Sequence, residues 1–140
     1  MKRIYNDINL ASRNSFGVSE KARMVVEFDS AEDLKEIFSA ERPDKWYVLG
    51  AGNNTLFTQY YDGVIFNPKA SSIAILGDDG EYVDLRVEAA YDWDSLVEWS
   101  VNNGLWGIEN LSAIPSSVGA APVQNIGAYG MQVADRILWV

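Results

Sequence analysis

Gly50-Ala51-Gly52-Asn53-Asn54-Thr55 follows directly on an apolar run, Trp46-Tyr47-Val48-Leu49. Glycines at such a point let the main chain turn sharply and approach a ligand, and successive peptide N–H groups can surround a phosphate. No Lys or Arg lies between Lys45 and Lys69, so an anion at this loop is expected to be held by peptide and amide donors. On the motif alone, a tight turn that needs small residues accounts for the run equally well. Two nucleotide motifs fail. A G-x-G-x-x-G fingerprint would need glycine where Thr55 stands, and the next strand begins near Val64, too soon for a crossover helix. The Gly-Lys-Ser/Thr ending of a phosphate loop is absent.

A second stretch, Asn110 to Gly130, carries no charged side chain, and no Lys or Arg occurs between Arg86 and Arg136. Its small residues, with Pro115 and Pro122, fit a backbone lying flat against a large, partly apolar ligand. Peptide N–H groups and the amides of Gln124 and Asn125 would supply the hydrogen bonds. The alternative is an Ala/Gly-rich helix packed closely on a sheet, against which the two prolines count.

Composition removes whole classes of chemistry. The 140 residues contain no Cys and no His, which excludes disulfides, thiolate nucleophiles, Cys/His zinc sites, a Ser-His-Asp triad and any imidazole base. A net charge of −9 works against nucleic acid and anionic membrane surfaces. With 48% hydrophobic and 22% charged residues, the chain can bury a core. Neither a signal-like apolar stretch after Met1-Lys2-Arg3 nor a membrane-length run is present, so a soluble, cytoplasmic protein is expected. Asp78-Asp79-Gly80-Glu81 lacks the ligand spacing of a calcium loop and reads as a hairpin turn. Asp92 and Asp94 read as helix N-terminal acids.

The elements that must position the two stretches follow from patterning. Met24–Phe28 is a strand, and Ser30 caps a helix with Asp33 as a weak capping box and Leu34, Ile37 and Phe38 on one face. Pro43 bars its continuation. Trp46–Leu49 reads as a strand buried on both faces, Asp62-Gly63 as a turn, and Val64–Phe66 as another buried strand in a parallel sheet. Ile73–Leu76 and Tyr82–Val87 form an antiparallel hairpin. Asp92 or Asp94 starts a second helix, with Trp93, Leu96, Val97 and Val101 on its apolar face and Gly104 at its C-terminal cap. Trp99 falls off that face and is expected to meet a part of the protein outside this sequence. Arg136–Val140 has strand character and no polar tail; it is either the last strand of the sheet or, as we favour, a sign that the sequence is the front part of a longer protein.

From Asn14-Ser15-Phe16-Gly17-Val18, through Gly50 to Phe57, to Gly107-Ile108-Glu109-Asn110-Leu111 and on to Gly130, the sequence resembles the UDP-N-acetylenolpyruvoylglucosamine reductase (MurB) family. Gln124-Asn125-Ile126-Gly127-Ala128-Tyr129-Gly130 is its most specific part. The resemblance implies an α+β, FAD-binding fold of the PCMH (vanillyl-alcohol oxidase) type, with a small α/β subdomain over residues 1–67 and an incomplete second subdomain over 68–140. It implies that Gly50, Ala51, Gly52, Asn53, Asn54 and Thr55 hold the FAD diphosphate. Ile114, Pro115, Ser116, Ser117, Val118 and Gly119, with Gln124, Asn125, Ile126, Gly127 and Tyr129, would line the rest of the cofactor. Three departures stand out. Asn53 replaces a usual serine, Ser116 replaces a usual glycine that a positive φ would require, and Glu88–Asp92 replaces an Ala/Gly-rich run.

By the same resemblance, NADPH reduces FAD, which then reduces the enolpyruvyl group of a UDP-sugar for peptidoglycan synthesis, a role tied to cell shape and division. The family's catalytic arginine, serine and glutamate fall beyond Val140, so no catalytic residue is assigned, and the missing C-terminal part would carry the substrate. The 140 residues alone are expected to show no turnover and weak FAD binding. With no His or Cys, any FAD is non-covalent. The alternatives are the FAD-binding domain of another flavoenzyme of the same fold, or a non-catalytic nucleotide-binding module.

Overall fold

A computed structural model describes residues 1–40 and 42–140. The chain divides into two units, Met1–Ala70 and Ser71–Val140. In the first unit, β1 (Arg3–Asn9), β2 (Lys21–Phe28), α1 (Ala31–Ala40), β3 (Trp46–Val48) and β4 (Tyr61–Pro68) follow in order. The strands form one sheet in the order β1-β2-β4-β3. β1 runs antiparallel to β2, whereas β2, β4 and β3 are mutually parallel neighbours.

Side chains alternate across this sheet, so adjacent residues serve opposite faces. Val25 and Ile65 pack with Leu10, Ala22, Leu49 and Phe57 on one side. Val26, Val64 and Phe66 meet Leu34, Ile37 and Phe38 of α1 on the other. Burial on both faces explains the unbroken apolar runs of β2 and β4. Helix α1 starts where expected: the Asp33 N–H donates to Ser30 Oγ at 3.1 Å. The Asp33 carboxylate accepts from the Asp29 N–H at 3.2 Å, one residue outside the usual box position.

Several expectations are corrected here. β3 is an exposed edge strand, because β4 takes the central place beside β2; of the run Trp46–Leu49 only Leu49 is buried. Trp46 is apolar for another reason, an edge contact with Phe38 at a centroid distance of 5.9 Å. Asp62-Gly63 is no turn but lies within β4, at a register shift opposite Ala22–Met24. Gly63 fits there because a Cβ would lie 2.8 Å from the Lys45 carbonyl. The polar segment Arg3–Asn9 shows no strand signal, yet it forms β1, so the sheet is mixed. The parallel crossing from β3 to β4 is made by residues 49–60 without a helix.

In the second unit, β5 (Ile73–Asp78) and β6 (Val83–Val87) pair as the expected hairpin. Its turn is closed by its own acids: Asp78 accepts from the Gly80 N–H, and Asp79 from those of Glu81 and Tyr82. α2 (Trp93–Asn102) follows, capped by Asp92, whose Oδ1 accepts the Ser95 N–H at 2.8 Å. Trp93, Leu96 and Val97 are buried, with Ser100 in place of the expected Val101, which is exposed. Gly104 adopts φ +72° directly after the C-cap, as such a stop requires. Trp99 packs on this unit's own core rather than pointing away. α3 (Ala121–Gln124), β7 (Gly127–Ala128) and β8 (Met131–Gln132) complete the regular elements. Arg136–Val140 is not a strand. Val133–Arg136 is a 3-10 turn, which Arg136 fixes by donating Nε–H to the Gly107 carbonyl at 3.0 Å.

Candidate functional site

Gly50–Thr55 sits in the first unit, between β3 and β4, and the carbonyls of Gly50, Gly52 and Asn53 are occupied from within that unit. Buried Asn67, at the end of β4, donates Nδ2 to the carbonyls of Leu49 at 2.6 Å and Gly50 at 3.1 Å. The Ser15 N–H donates to the Gly52 carbonyl at 3.1 Å, and Ser15 Oγ to that of Asn53 at 2.8 Å. The N–H groups of Gly50, Ala51, Gly52 and Asn53 have no backbone acceptor among the described residues. With three acceptors used and four N–H groups without a backbone partner, the loop has the donor-rich character that suits an anion. Gly52 is essential to that shape: it adopts φ +75°, and a Cβ would overlap the Arg13 carbonyl oxygen. Thr55 is tied to Tyr47 by a 3.2 Å hydroxyl contact.

One expectation changes. Although no Lys or Arg is near in sequence, folding places Arg13 and Lys69 in the wall of a cavity of about 340 Å³ with Gly50 and Ala51. Ser12, Glu27, Leu49 and Asn67 complete its lining. Sequence distance concealed this. Arg13 arrives from the 3-10 turn after β1 and Lys69 from just beyond β4.

Glu27, nearly buried, is the hub of that wall. Its Oε1 takes Arg13 at 2.7 Å and Lys69 at 3.4 Å, and its Oε2 takes Arg3 at 3.2 Å and the Tyr5 hydroxyl at 3.3 Å. Burial pushes against the Glu27 charge, but the Arg13 hydrogen bond and the charges of Lys69 and Arg13 outweigh it and hold the carboxyl below its ordinary value. A carboxyl lower in the folded than in the unfolded chain stabilises the fold above its unfolded value, about 4.3. That contribution disappears as pH falls through the folded value. Glu27→Gln is therefore expected to lower the urea midpoint at pH 7 and to flatten its fall between pH 5 and pH 3; an acid limb as steep as wild type would contradict this.

In the second unit the uncharged stretch is structured rather than flat. Ser116–Gly119 zips against the segment before α2: the Ser116 carbonyl accepts the Trp93 N–H at 3.1 Å, the Val118 N–H donates to Tyr91 at 2.9 Å, and the Gly119 N–H to Ala89 at 2.9 Å. Those peptide donors are therefore spent within the chain. Gly119 allows this approach, since a Cβ would meet Ala89 Cβ at 2.7 Å. Ser116 has no positive φ, so serine fits where the family pattern has glycine. Ile114 packs beside the core and Pro115 is exposed. Ala113 does hold a left-handed backbone, φ +57°, and its N–H donates to Asp94 Oδ1 at 2.6 Å; Asp94 thus anchors this strap as well as serving its helix.

Ser117 is buried, and its Oγ has no hydrogen-bond partner among the described residues. A buried hydroxyl without a partner is unfavourable unless something else satisfies it. Farther on, α3 admits Pro122 in its first turn, Asn125 closes it at φ +43° and donates Nδ2 to Gln132 Oε1 at 2.8 Å, and Gln124 is exposed. Ile126 lies in the core, so it supports the stretch from beneath. Gly127 packs against the Met131 carbonyl, where a Cβ would sit at 2.9 Å. Tyr129-Gly130 joins β7 to β8, both at positive φ, with Tyr129 90% exposed; a tyrosine held left-handed and in water is uncommon.

The FAD binding domain family matches residues 22–140. The chain belongs to this family. It is 42% identical over 128 residues to the UDP-N-acetylenolpyruvoylglucosamine reductase of Aliivibrio fischeri, covering 87% of this chain and 35% of that one. Against the enzyme of the same name from Flavobacterium johnsoniae it is 35% identical over 135 residues, covering 96% of this chain and 40% of the other. The chain thus spans about two fifths or less of these curated relatives. The crystal structure of MurB from Thermus caldophilus superposes with a TM-score of 0.75 at 22% identity, over 96% of this chain and 47% of that one. The expected α+β FAD-binding fold is borne out, and so is the resemblance to these reductases.

The first unit's residues fit the diphosphate of an FAD-class ligand by the backbone at Gly52, which leaves no room for a Cβ, and by loop N–H groups without a backbone acceptor among the described residues; the second unit, by itself, offers a buried Ser117 hydroxyl without a partner among the described residues. Among the described residues no cluster of acids could hold a metal ion, and no helix is long and apolar enough to cross a membrane.

Proposed function

We propose that this chain is the FAD-holding part of an NADPH-dependent UDP-N-acetylenolpyruvoylglucosamine reductase. The observation that carries the reading is the Gly50–Asn53 loop, with three of its four carbonyls engaged and its N–H groups without backbone acceptors among the described residues. In this reading those N–H groups receive the diphosphate, and Asn54 and Thr55 continue the same wall. Ile114 to Gly119, with Gln124, Asn125, Gly127 and Tyr129, line the remainder of the cofactor, with Ser117 Oγ as an available donor and Ile126 supporting them from the core. When bound, FAD supplies hydride transfer between NADPH and the enolpyruvyl substrate. The chain's own part is to bind and orient it, without covalent attachment, since no His or Cys exists to make such a link.

A peptidoglycan-synthesis role in the cytoplasm, and coupling to cell division, follow from this reading. Flavin fluorescence titration tests it. FAD is expected to bind saturably, and weakly, with quenching that riboflavin at equal concentration does not reproduce, because riboflavin lacks the diphosphate. Equal quenching by both, or none by FAD, would sink the reading.

A further inference from the structure

We propose that Arg13 and Lys69 form a side-chain site for a phosphate-class anion, in the cavity that borders Gly50 and Ala51. Three cations, Arg3, Arg13 and Lys69, surround the single carboxylate of Glu27. Two of them, Arg13 and Lys69, line the cavity together with that carboxylate, an excess of one positive charge there in a chain whose net charge is −9. Two cations sharing one carboxylate are left partly uncompensated, and an anion in the cavity would offset the excess.

The geometry favours an anion over a cation or a neutral ligand. Both oxygens of Glu27 are already taken, Oε1 by Arg13 and Lys69, Oε2 by Arg3 and Tyr5, so the carboxylate presents little acceptor capacity to the cavity. Arg13 uses one terminal nitrogen on Glu27 and Asn67, and its guanidinium carbon lies 5.2 Å from the centre of the Tyr5 ring. Held on these sides, with its side chain 17% exposed, it is pre-positioned and still has donors to give. Lys69, more exposed, supplies a second charge. The Asn67 amide turns the carbonyls of Leu49 and Gly50 toward itself, so the neighbouring peptide offers no competing acceptor there.

The inference rests on the FAD reading for the identity of the bound phosphate, not for the existence of the site. Isothermal titration with inorganic pyrophosphate, on wild type, Lys69→Gln and Arg13→Gln, tests it, with circular dichroism as the check on folding. Pyrophosphate is expected to bind wild type, and each substitution to weaken it by about tenfold, with a shallower dependence on salt. If Arg13→Gln does not fold, the half-exposed Lys69→Gln decides alone. Competition between pyrophosphate and FAD would mean that the site takes the FAD diphosphate; simultaneous binding would mean a second phosphate-bearing ligand. Variant-sensitive pyrophosphate binding without FAD binding would leave the site and remove the FAD reading. No pyrophosphate binding to wild type, or equal binding to all three proteins, would overturn the proposal even where FAD binds.

Discussion

Gly52→Ala is expected to reduce FAD affinity by about a hundredfold, the loss to which roughly 3 kcal/mol of strain corresponds. Alanine at φ +75° is strained, and its methyl group would overlap the Arg13 carbonyl oxygen. Left-handed strain and forced overpacking together cost about 3 kcal/mol. The obstruction is backbone, which cannot rotate away as a flexible side chain could. The loop must then lift from Arg13, which breaks the Ser15–Gly52 hydrogen bond and turns the spare N–H groups out of register. Chemical denaturation with parallel flavin titration measures both effects. A variant with wild-type affinity would show that the loop's shape does not matter to the ligand.

Trp93→Ala should be the most damaging single change in the second unit, at about 4 kcal/mol. Trp93 is nearly fully buried in the core with Leu96, Val97, Leu111 and Ala121. It also touches the uncharged stretch twice, through its N–H to the Ser116 carbonyl at 3.1 Å and its indole N–H to the buried Leu111 carbonyl at 2.8 Å. Trp93→Phe separates packing from hydrogen bonding. It keeps a ring, leaves the Leu111 carbonyl unsatisfied, and should cost about 1–2 kcal/mol. Urea unfolding of both variants checks the order; equal losses would mean that the indole hydrogen bond carries the whole effect.

Local chemistry was readable wherever the cause is local. Ser30 and Asp92 cap their helices, Gly104 ends one, and Asp78-Asp79-Gly80 closes a hairpin, because each acts on neighbours within four residues. What failed depends on partners far along the chain. Trp46–Val48 has the composition of a central strand, but its place was decided by β4, which pairs with β2 and leaves β3 outside. Asp62-Gly63 has turn composition, and a bulge uses the same residues. Arg3–Asn9 is polar because it is an edge, which is a poor signal for any strand. The site divides the same way. The Gly50–Thr55 loop was visible as a motif, whereas Asn67, Ser15, Arg13, Glu27 and Lys69 come from separate segments and carry no mark of their role. Polar residues flanking apolar strands, as Glu27 and Asn67 do, were the available hint.

The placement of β4 between β2 and β3 bears on how the chain reaches its native state. β3 is synthesised before β4, yet its only sheet neighbour is β4, so it has nowhere to dock until the later strand has slotted in beside β2. Residues 49–60 join those two strands, and the Asn67 that shapes the glycine loop arrives with β4. The Gly50–Thr55 loop is thus expected among the last pieces of its unit to take form, after a long-range closure that slows such topologies.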